Sequence, residues 1–391
     1  MRLTNALGCW LVTTIAIARI AIRDHDRRVC SMFEQIAPEN RSFSLSEAPM
    51  STLTQAHNEL FRRRPDECFS SVESLIQHCR NEHRESQDRW HLPARLQPVV
   101  VGGELSFAAG DDGEFLLNDW SFSQICRLSG VAKETVNRLS PDTARSVLRE
   151  TLPNGAKPMQ ILTTGPSIRS IHGAAYSRLW NSELLETVAE CAGEFSPPQT
   201  AMTGATGLYC GEQDLFCFLI DPAGWIEIGE EAFAPGFFVW NSEVGRRSLG
   251  ISTFWFQRVC QNHIVWDATN VVEFTRKHTG NVRESLLEIR RMIQALQERR
   301  DERKDSFATA VRKAMATNVA SDSDEAMKFL SQHNLPRDTI ERAVKQLGHD
   351  GKPFTLWNLV DVLTHMNLNL RYAGDRTEAD QKVAKLMELA V

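Results

Sequence analysis

Leu215-Phe216-Cys217-Phe218-Leu219-Ile220, Trp225-Ile226-Glu227-Ile228, Phe237-Phe238-Val239-Trp240 and Ile251-Ser252-Thr253-Phe254-Trp255-Phe256 follow one another with glycines and prolines between them. Short runs of aromatic and β-branched residues, bounded by turn formers, are strands and are too short for helices. From Pro197-Pro198 to Gly280 the chain therefore predicts a compact antiparallel sheet. Both flanks read as mostly helical, so the expected class is α+β, an antiparallel aromatic-rich sheet with packed helices and a helical C-terminal region.

Working outward, Phe69, Val72, Leu75, Ile76 and Cys79 recur at helical spacing after Ser70 and predict a helix over 69–84. Val99–Val101, Leu105–Ala108 and Phe115–Leu117, turning at Gly110-Asp111-Asp112-Gly113, predict a small hairpin sheet. Helices are expected over 121–129 and 132–139, and a third after Ser140-Pro141, where serine caps and proline tolerates the first helical position. Met159–Thr164 reads as a strand and Tyr176–Cys191 as a helix. Downstream, Val282, Leu286, Ile289, Ile293 and Leu296 form one seam. It fails at Arg300 and Arg303 after about two heptads, too few for a coiled coil, so a packed amphipathic helix is expected. The chain thus divides into 50–195 (helix and hairpin), 196–280 (β-rich) and 281–391 (helical).

Residues 1–49 stand apart. Ala6–Ala18 is apolar behind Arg2, yet no small-residue cleavage site follows, and the stretch is too short to span a bilayer. Met50-Ser51-Thr52-Leu53 reads as a start, so 1–49 is expected to be translated upstream sequence rather than a targeting segment.

The 391 residues suffice for a sizeable core, and 42% hydrophobic with 24% charged content excludes wholesale disorder. A net charge of -6 excludes a uniformly basic nucleic-acid coat but not a local patch. Nine cysteines without paired C-x-x-C spacing argue against a disulfide framework and a structural zinc site. Free thiols in a reducing cytoplasm are expected, with no metal, no cofactor and no membrane. Neither GxxxxGK[ST] nor a strand-borne GxGxxG occurs, which argues against nucleotide-driven chemistry.

Three stretches offer chemistry. Phe122–Leu139 resembles a helix-turn-helix, with Gly130 at the turn and Lys133, Glu134, Thr135, Asn137 and Arg138 on the second helix. Two helices joined by a glycine turn are equally ordinary packing. His263 and His278, with Glu243 and Asp267, could form an acid–base or metal pair, but no HExxH spacing supports it. Cys260 beside Arg258 could be an activated thiol, although no base is identifiable. Residues 236–279 combine Phe237, Phe238, Trp240, Phe254, Trp255, Phe256 and Trp266 with Arg246, Arg247, Arg258, Arg276 and Lys277. Five cations face three acids there (Glu243, Asp267, Glu273), a local excess in an acidic chain. Aromatics stack on bases while cations follow phosphates. The competing reading makes the rings core and the arginines partners of those acids.

The same region carries a family resemblance. Gly207-Leu208-Tyr209-Cys210-Gly211-Glu212-Gln213-Asp214-Leu215-Phe216, Gly236-Phe237-Phe238-Val239-Trp240-Asn241-Ser242-Glu243-Val244-Gly245, Val259-Cys260-Gln261-Asn262-His263-Ile264-Val265-Trp266 and Arg276-Lys277-His278-Thr279-Gly280 are the blocks concerned. In order and spacing they resemble the phage/plasmid-like protein family (domain of unknown function 932), over about 200–280 and more loosely over about 95–300. Arg169, Tyr176 and Asn181–Leu185 carry the looser part. Where the family shows Ser-Asp-Arg-Tyr this chain has Gly173-Ala174-Ala175-Tyr176, so no polar role transfers to that run. The resemblance implies a mobile-element setting and no particular reaction.

The leading expectation is a non-enzymatic protein that binds DNA or RNA in phage or plasmid replication or recombination, through Arg246, Arg247, Arg258, Arg276 and Lys277. One alternative is a helix-turn-helix regulator. The other is a hydrolytic enzyme built on Asn241, Glu243, Asn262 and His263. The block Asn241-Ser242-Glu243 is either a turn closing the sheet or part of a site.

Overall fold

The aromatic runs form the centre of the larger of two main sheets in the computed structural model, which describes residues 59–200, 205–258, 263–265 and 274–390. The expectations for residues 1–49, Cys260, Asn262, Trp266, Asp267 and Glu273 lie outside the described residues.

The first part of the described chain contains β1 (Glu67–Cys68), α1 (Val72–Glu85), β2 (Ser86–His91), β3 (Leu96–Val101), β4 (Glu104–Ala109), β5 (Glu114–Leu117), α2 (Asp119–Leu128), α3 (Lys133–Val136), α4 (Pro141–Thr151), β6 (Met159–Thr164) and β7 (Ser167–Gly173), of which β1 and α1 join the second sheet. Ser71 rather than Ser70 caps α1, exchanging hydrogen bonds with Ser74 in a capping box. Strands β2-β6-β7-β5-β4-β3 make a sheet that is antiparallel except for the β5–β7 pair. Its core joins Phe107, Phe115, Ile161 and Ile168 to Phe122, Ile125 and Leu148 of α2 and α4. This sheet exceeds the expected hairpin by β2, β6 and β7, of which the sequence predicts only β6 as a strand. Strand β2, Ser-Gln-Asp-Arg-Trp-His, shows no apolar alternation because it is an edge strand, paired with β6.

The second sheet follows α5 (Asn181–Cys191), which starts five residues later than expected because Tyr176 instead bridges to Thr279. It contains β8 (Leu208–Cys210), β9 (Leu215–Ile220), β10 (Ile226–Ile228), β11 (Glu231–Asn241), β12 (Leu249–Gln257), β13 (His263–Ile264) and β14 (Phe274–Arg276). The order is β1-β8-β9-β11-β12-β13, with β10 on β11 and β14 on β12. In register, Phe238 lies between Phe218 and Ser252. Strand alternation sends Cys217, Leu219, Phe237, Val239 and Ile251 to one face, and Phe216, Phe218, Phe238, Trp240, Phe254 and Phe256 to the other. Both faces are covered, which is why these strands read as continuous apolar runs rather than alternating ones.

The remaining elements are α6 (Ser285–Glu298), α7 (Arg300–Ala316), β15 (Asn318–Ala320), α8 (Ser323–Ser331), α9 (Arg337–His349), β16 (Phe354–Thr355), α10 (Leu356–Asn367) and α11 (Ala373–Ala384). The seam of α6 packs with α1 and α5 on the first face, burying Ile289, Ile293 and Leu296. Helices α7 to α10 dock on Phe233 and Trp255, where Trp255 stacks on Phe307 at 4.0 Å between ring centroids. Helix α11 returns to the start of the described chain. Ala373 N donates to Asp66 Oδ2 at 2.9 Å, Tyr372 OH donates to Arg63 O at 3.1 Å, and the Arg63 guanidinium lies 3.8 Å from the Tyr372 ring centre. Among the described residues, no helix is long and apolar enough to cross a membrane.

Buried Asp380 on α11 accepts from Asn367 Nδ2 at 2.9 Å and lies 3.7 Å from Arg376. Burial outweighs both partners and raises its pKa from 3.8 to about 7. Between those values the native state holds a proton that the unfolded chain has released, so this residue makes stability fall as pH rises from 4 to 7. Asp380→Asn is expected to match the parent near pH 4 and to melt higher above pH 7, which denaturant titrations at the two pH values will check.

Candidate nucleic-acid interface

The loop between β11 and β12 holds Ser242, Glu243, Arg246 and Arg247. Gly245 turns it with φ +69°, and a Cβ there would stand 2.6 Å from the His172 ring and 2.9 Å from Tyr176. Only glycine fits that combination of conformation and contact.

Asn241, Ser242 and Glu243 are fully enclosed. Asn241 Nδ2 donates to Leu179 O at 2.9 Å and to Asn181 Oδ1 at 2.8 Å. Ser242 Oγ donates to Gln213 O and accepts from Arg246 N at 2.9 Å. Glu243 Oε2 accepts from Arg169 Nη1 at 2.9 Å and Oε1 from Asn181 N at 2.8 Å. Its backbone carbonyl accepts from Tyr176 OH at 2.9 Å and from Arg178. Burial opposes the Arg169 charge, but Glu243 and Glu82 outweigh it and raise its pKa. The block is thus a turn that locks β7, the 176–181 segment and the second sheet together.

Two histidines flank Tyr176 there. His172 stacks on it at 3.7 Å and His278 lies at 5.4 Å. Burial, with Arg178 adding to it, lowers His172 to about 3, and burial lowers His278 to about 4, so both rings are neutral at pH 7. His263 sits elsewhere, among the rings of Phe218, Phe254 and Phe256 at 4.5, 5.1 and 5.9 Å. Burial, then Arg376, depresses it well below the usual histidine range. Glu243 and His263 share none of these neighbours, so the structure does not bring the hydrolytic pair together.

The five cations also separate. Arg247 is spent on structure: its Nε lies 2.7 Å from Asp214, its Nη2 3.7 Å from Asp375, and Nη1 pairs with Glu378. Burial disfavours its charge, but these carboxylates prevail and raise its pKa. Arg258 lies at the far end of β12, nine extended residues or about 30 Å from Leu249, with its guanidinium 5.6 Å from Trp225. Arg276 pairs with Leu249 across β14 and β12 and alternates to the face opposite Thr275. Lys277 is exposed one residue beyond that strand.

Arg246 is the exposed cation that retains a site. Its guanidinium is 5.7 Å from the Trp120 ring, and Arg127 approaches the same ring at 5.8 Å. Trp120 is held by Nε1 donating to Val244 O at 2.8 Å. Beside Arg246 opens a cavity of about 330 Å³ lined by Phe216, Phe238, Trp240, Thr275, Arg247 and Glu378, among others, the last two paired with each other. Sequence reasoning passed over Trp120 and Arg127, although a spacing of seven places them on one helix face.

The helix-turn-helix residues are differently employed. Helix α3 is a single turn, Lys133 pairs with Asp119 at 2.6 Å, and Asn137 turns inward to hold the backbone of Phe61 at 2.8 and 2.9 Å. Glu134, Thr135 and Arg138 are exposed.

No known family model, curated protein or solved structure matches the chain.

Proposed function

We propose that this protein binds single-stranded nucleic acid, DNA or RNA, at the surface of Arg246, Trp120 and Arg127, as a component of a phage or plasmid replication or recombination system. The observation that carries the reading is a half-buried aromatic ring approached by two exposed arginines, one of which, Arg246, also lines a cavity with aromatic walls. Stacking and phosphate contact are the two terms such binding needs, and neither requires sequence readout. The resemblance to phage- and plasmid-borne proteins supports the biological setting. Lys277 adds positive charge at the same end of the second sheet, whereas Arg276 alternates to the other face, Arg247 is paired with Asp214 and Glu378, and Arg258 lies at the far end of β12.

Fluorescence anisotropy with labelled single-stranded DNA, duplex DNA and RNA over a salt series tests this. Arg246→Glu is expected to weaken single-strand binding across all sequences and to flatten the salt slope by about 0.7 unit for each phosphate no longer engaged. Trp120→Ala is expected to lose about 1–3 kcal/mol of binding with the slope retained, because it removes stacking and not charge. Thermal melts matching the parent establish that each variant is folded. Absence of binding by the parent, or an unaltered affinity and slope in Arg246→Glu, overturns the reading.

A further inference from the structure

Away from that surface, His78 and Glu82 lie one turn apart on one face of α1, and β8 brings Cys210 against them. The donor atoms of the three side chains lie within 4.8 Å of one another, with His78 Nε2 and Glu82 Oε2 at 3.9 Å. Cys210 is buried, whereas His78 and Glu82 keep 30% and 28% of their side-chain surface and open the cluster to solvent. Glu82 Oε2 is itself enclosed without a hydrogen-bond partner. Its nearest cation, Arg169, stands 3.7 Å off and is already hydrogen-bonded to Glu243.

We propose that His78, Glu82 and Cys210 bind a divalent transition-metal ion of the zinc class, in a three-ligand site whose fourth position is left to solvent. Imidazole, carboxylate and thiolate together suit zinc and its neighbours rather than magnesium or calcium, which prefer oxygen alone. Metal–ligand bonds of about 2.0–2.3 Å place tetrahedral donors about 3.3–3.8 Å apart. The His78–Glu82 spacing of 3.9 Å is already close to that. The charges also balance: a dication plus Arg169 offsets a Cys210 thiolate, Glu82 and Glu243. Cys79 stands behind Cys210 within hydrogen-bonding reach of its sulfur, as a supporting thiol outside the ligand set. The Phe69 ring packs against His78 at 4.9 Å and limits its rotation. Sequence spacing conceals such a site, since one ligand comes from a strand 128 positions beyond Glu82 and no C-x-x-C or HExxH pattern results.

The competing account is a metal-free His78–Cys210 hydrogen bond. Cobalt(II) added to the full chain after chelation distinguishes them, because tetrahedral cobalt bound to thiolate gives visible d–d bands and a near-ultraviolet sulfur-to-cobalt charge-transfer band. The expected result is both bands, saturating at one equivalent and displaced by zinc. Cys210→Ser should abolish the charge-transfer band, His78→Gln should weaken binding about tenfold or more, since even supporting residues have effects of that size, and Cys79→Ala should leave the stoichiometry unchanged. Absence of bands in the folded parent, or a charge-transfer band that survives Cys210→Ser, overturns the site. If Cys210→Ser does not fold, His78→Gln at its half-exposed position decides, and an unaltered cobalt affinity there is equally fatal.

Discussion

Glu243→Gln is expected to lower stability by about 3–5 kcal/mol, the range for breaking a buried ion pair from one side. The substitution keeps the side chain's volume and its oxygen for Asn181 N, so the loss isolates the charge. Arg169 would then be buried with Glu82 as its remaining counter-ion, 3.7 Å away. That partial compensation favours the lower end of the range. Urea denaturation reads the effect as a lower midpoint with an unchanged slope. Replacing Arg169 and Glu243 together by apolar residues of similar volume should recover only part of the loss, because the pair's removal leaves Asn181 N without its acceptor and Glu82 without its cation. Nucleic-acid binding, measured where the variant is still folded, should match the parent. A loss under about 1 kcal/mol would remove Glu243 from the structural junction and restore it as a candidate acid or base.

Trp255→Ala is expected to cost a similar amount, about 3–5 kcal/mol, through a different cause. Trp255 is fully buried, lies flat on Phe307 at 4.0 Å, and has the Arg303 guanidinium 5.9 Å from its ring. It joins β12 to α7, so its removal opens a cavity where the C-terminal helices meet the sheet. A double-mutant cycle with Phe307→Ala should return a coupling of about 0.5–1.5 kcal/mol for the stacked pair. If the two losses simply add, the rings contribute only by filling space.

Both variants probe contacts of very different legibility. The α+β class could be read directly, because the runs around Phe218, Phe238 and Phe254 are too short and too aromatic to be anything but strands, and the seam of α6 has unmistakable helical spacing. Strand β2 could not, since an edge strand needs no apolar face. The site was harder for a geometric reason. Arg246, Arg258 and Arg276 are close in sequence, yet an extended strand of nine residues carries Arg258 to the opposite end of the sheet, and alternation turns Arg276 to the other face. Conversely, Arg169, Tyr176, Arg178 and Asn181 meet Glu243 across 62 to 74 positions, a pairing that no local pattern announces. Burial and hydrogen bonding put Asn241-Ser242-Glu243 at a structural junction, and Glu243→Gln is the measurement that separates turn from site.

The bonds between Arg63–Asp66 and Tyr372–Ala373 impose an order in time. They span 309 and 307 positions, so the early segment cannot find its final partners until nearly the whole described chain has been synthesised. At about 5–20 residues per second that interval is roughly 15–60 s. For all of it, Asp66 and the Arg63 carbonyl emerge from the ribosome without the helix that receives them. The sheet that β1 edges can pair earlier, but its contact with α11 waits for that helix. A chain stalled short of α11 would therefore keep Asp66 and the Arg63 carbonyl without these partners.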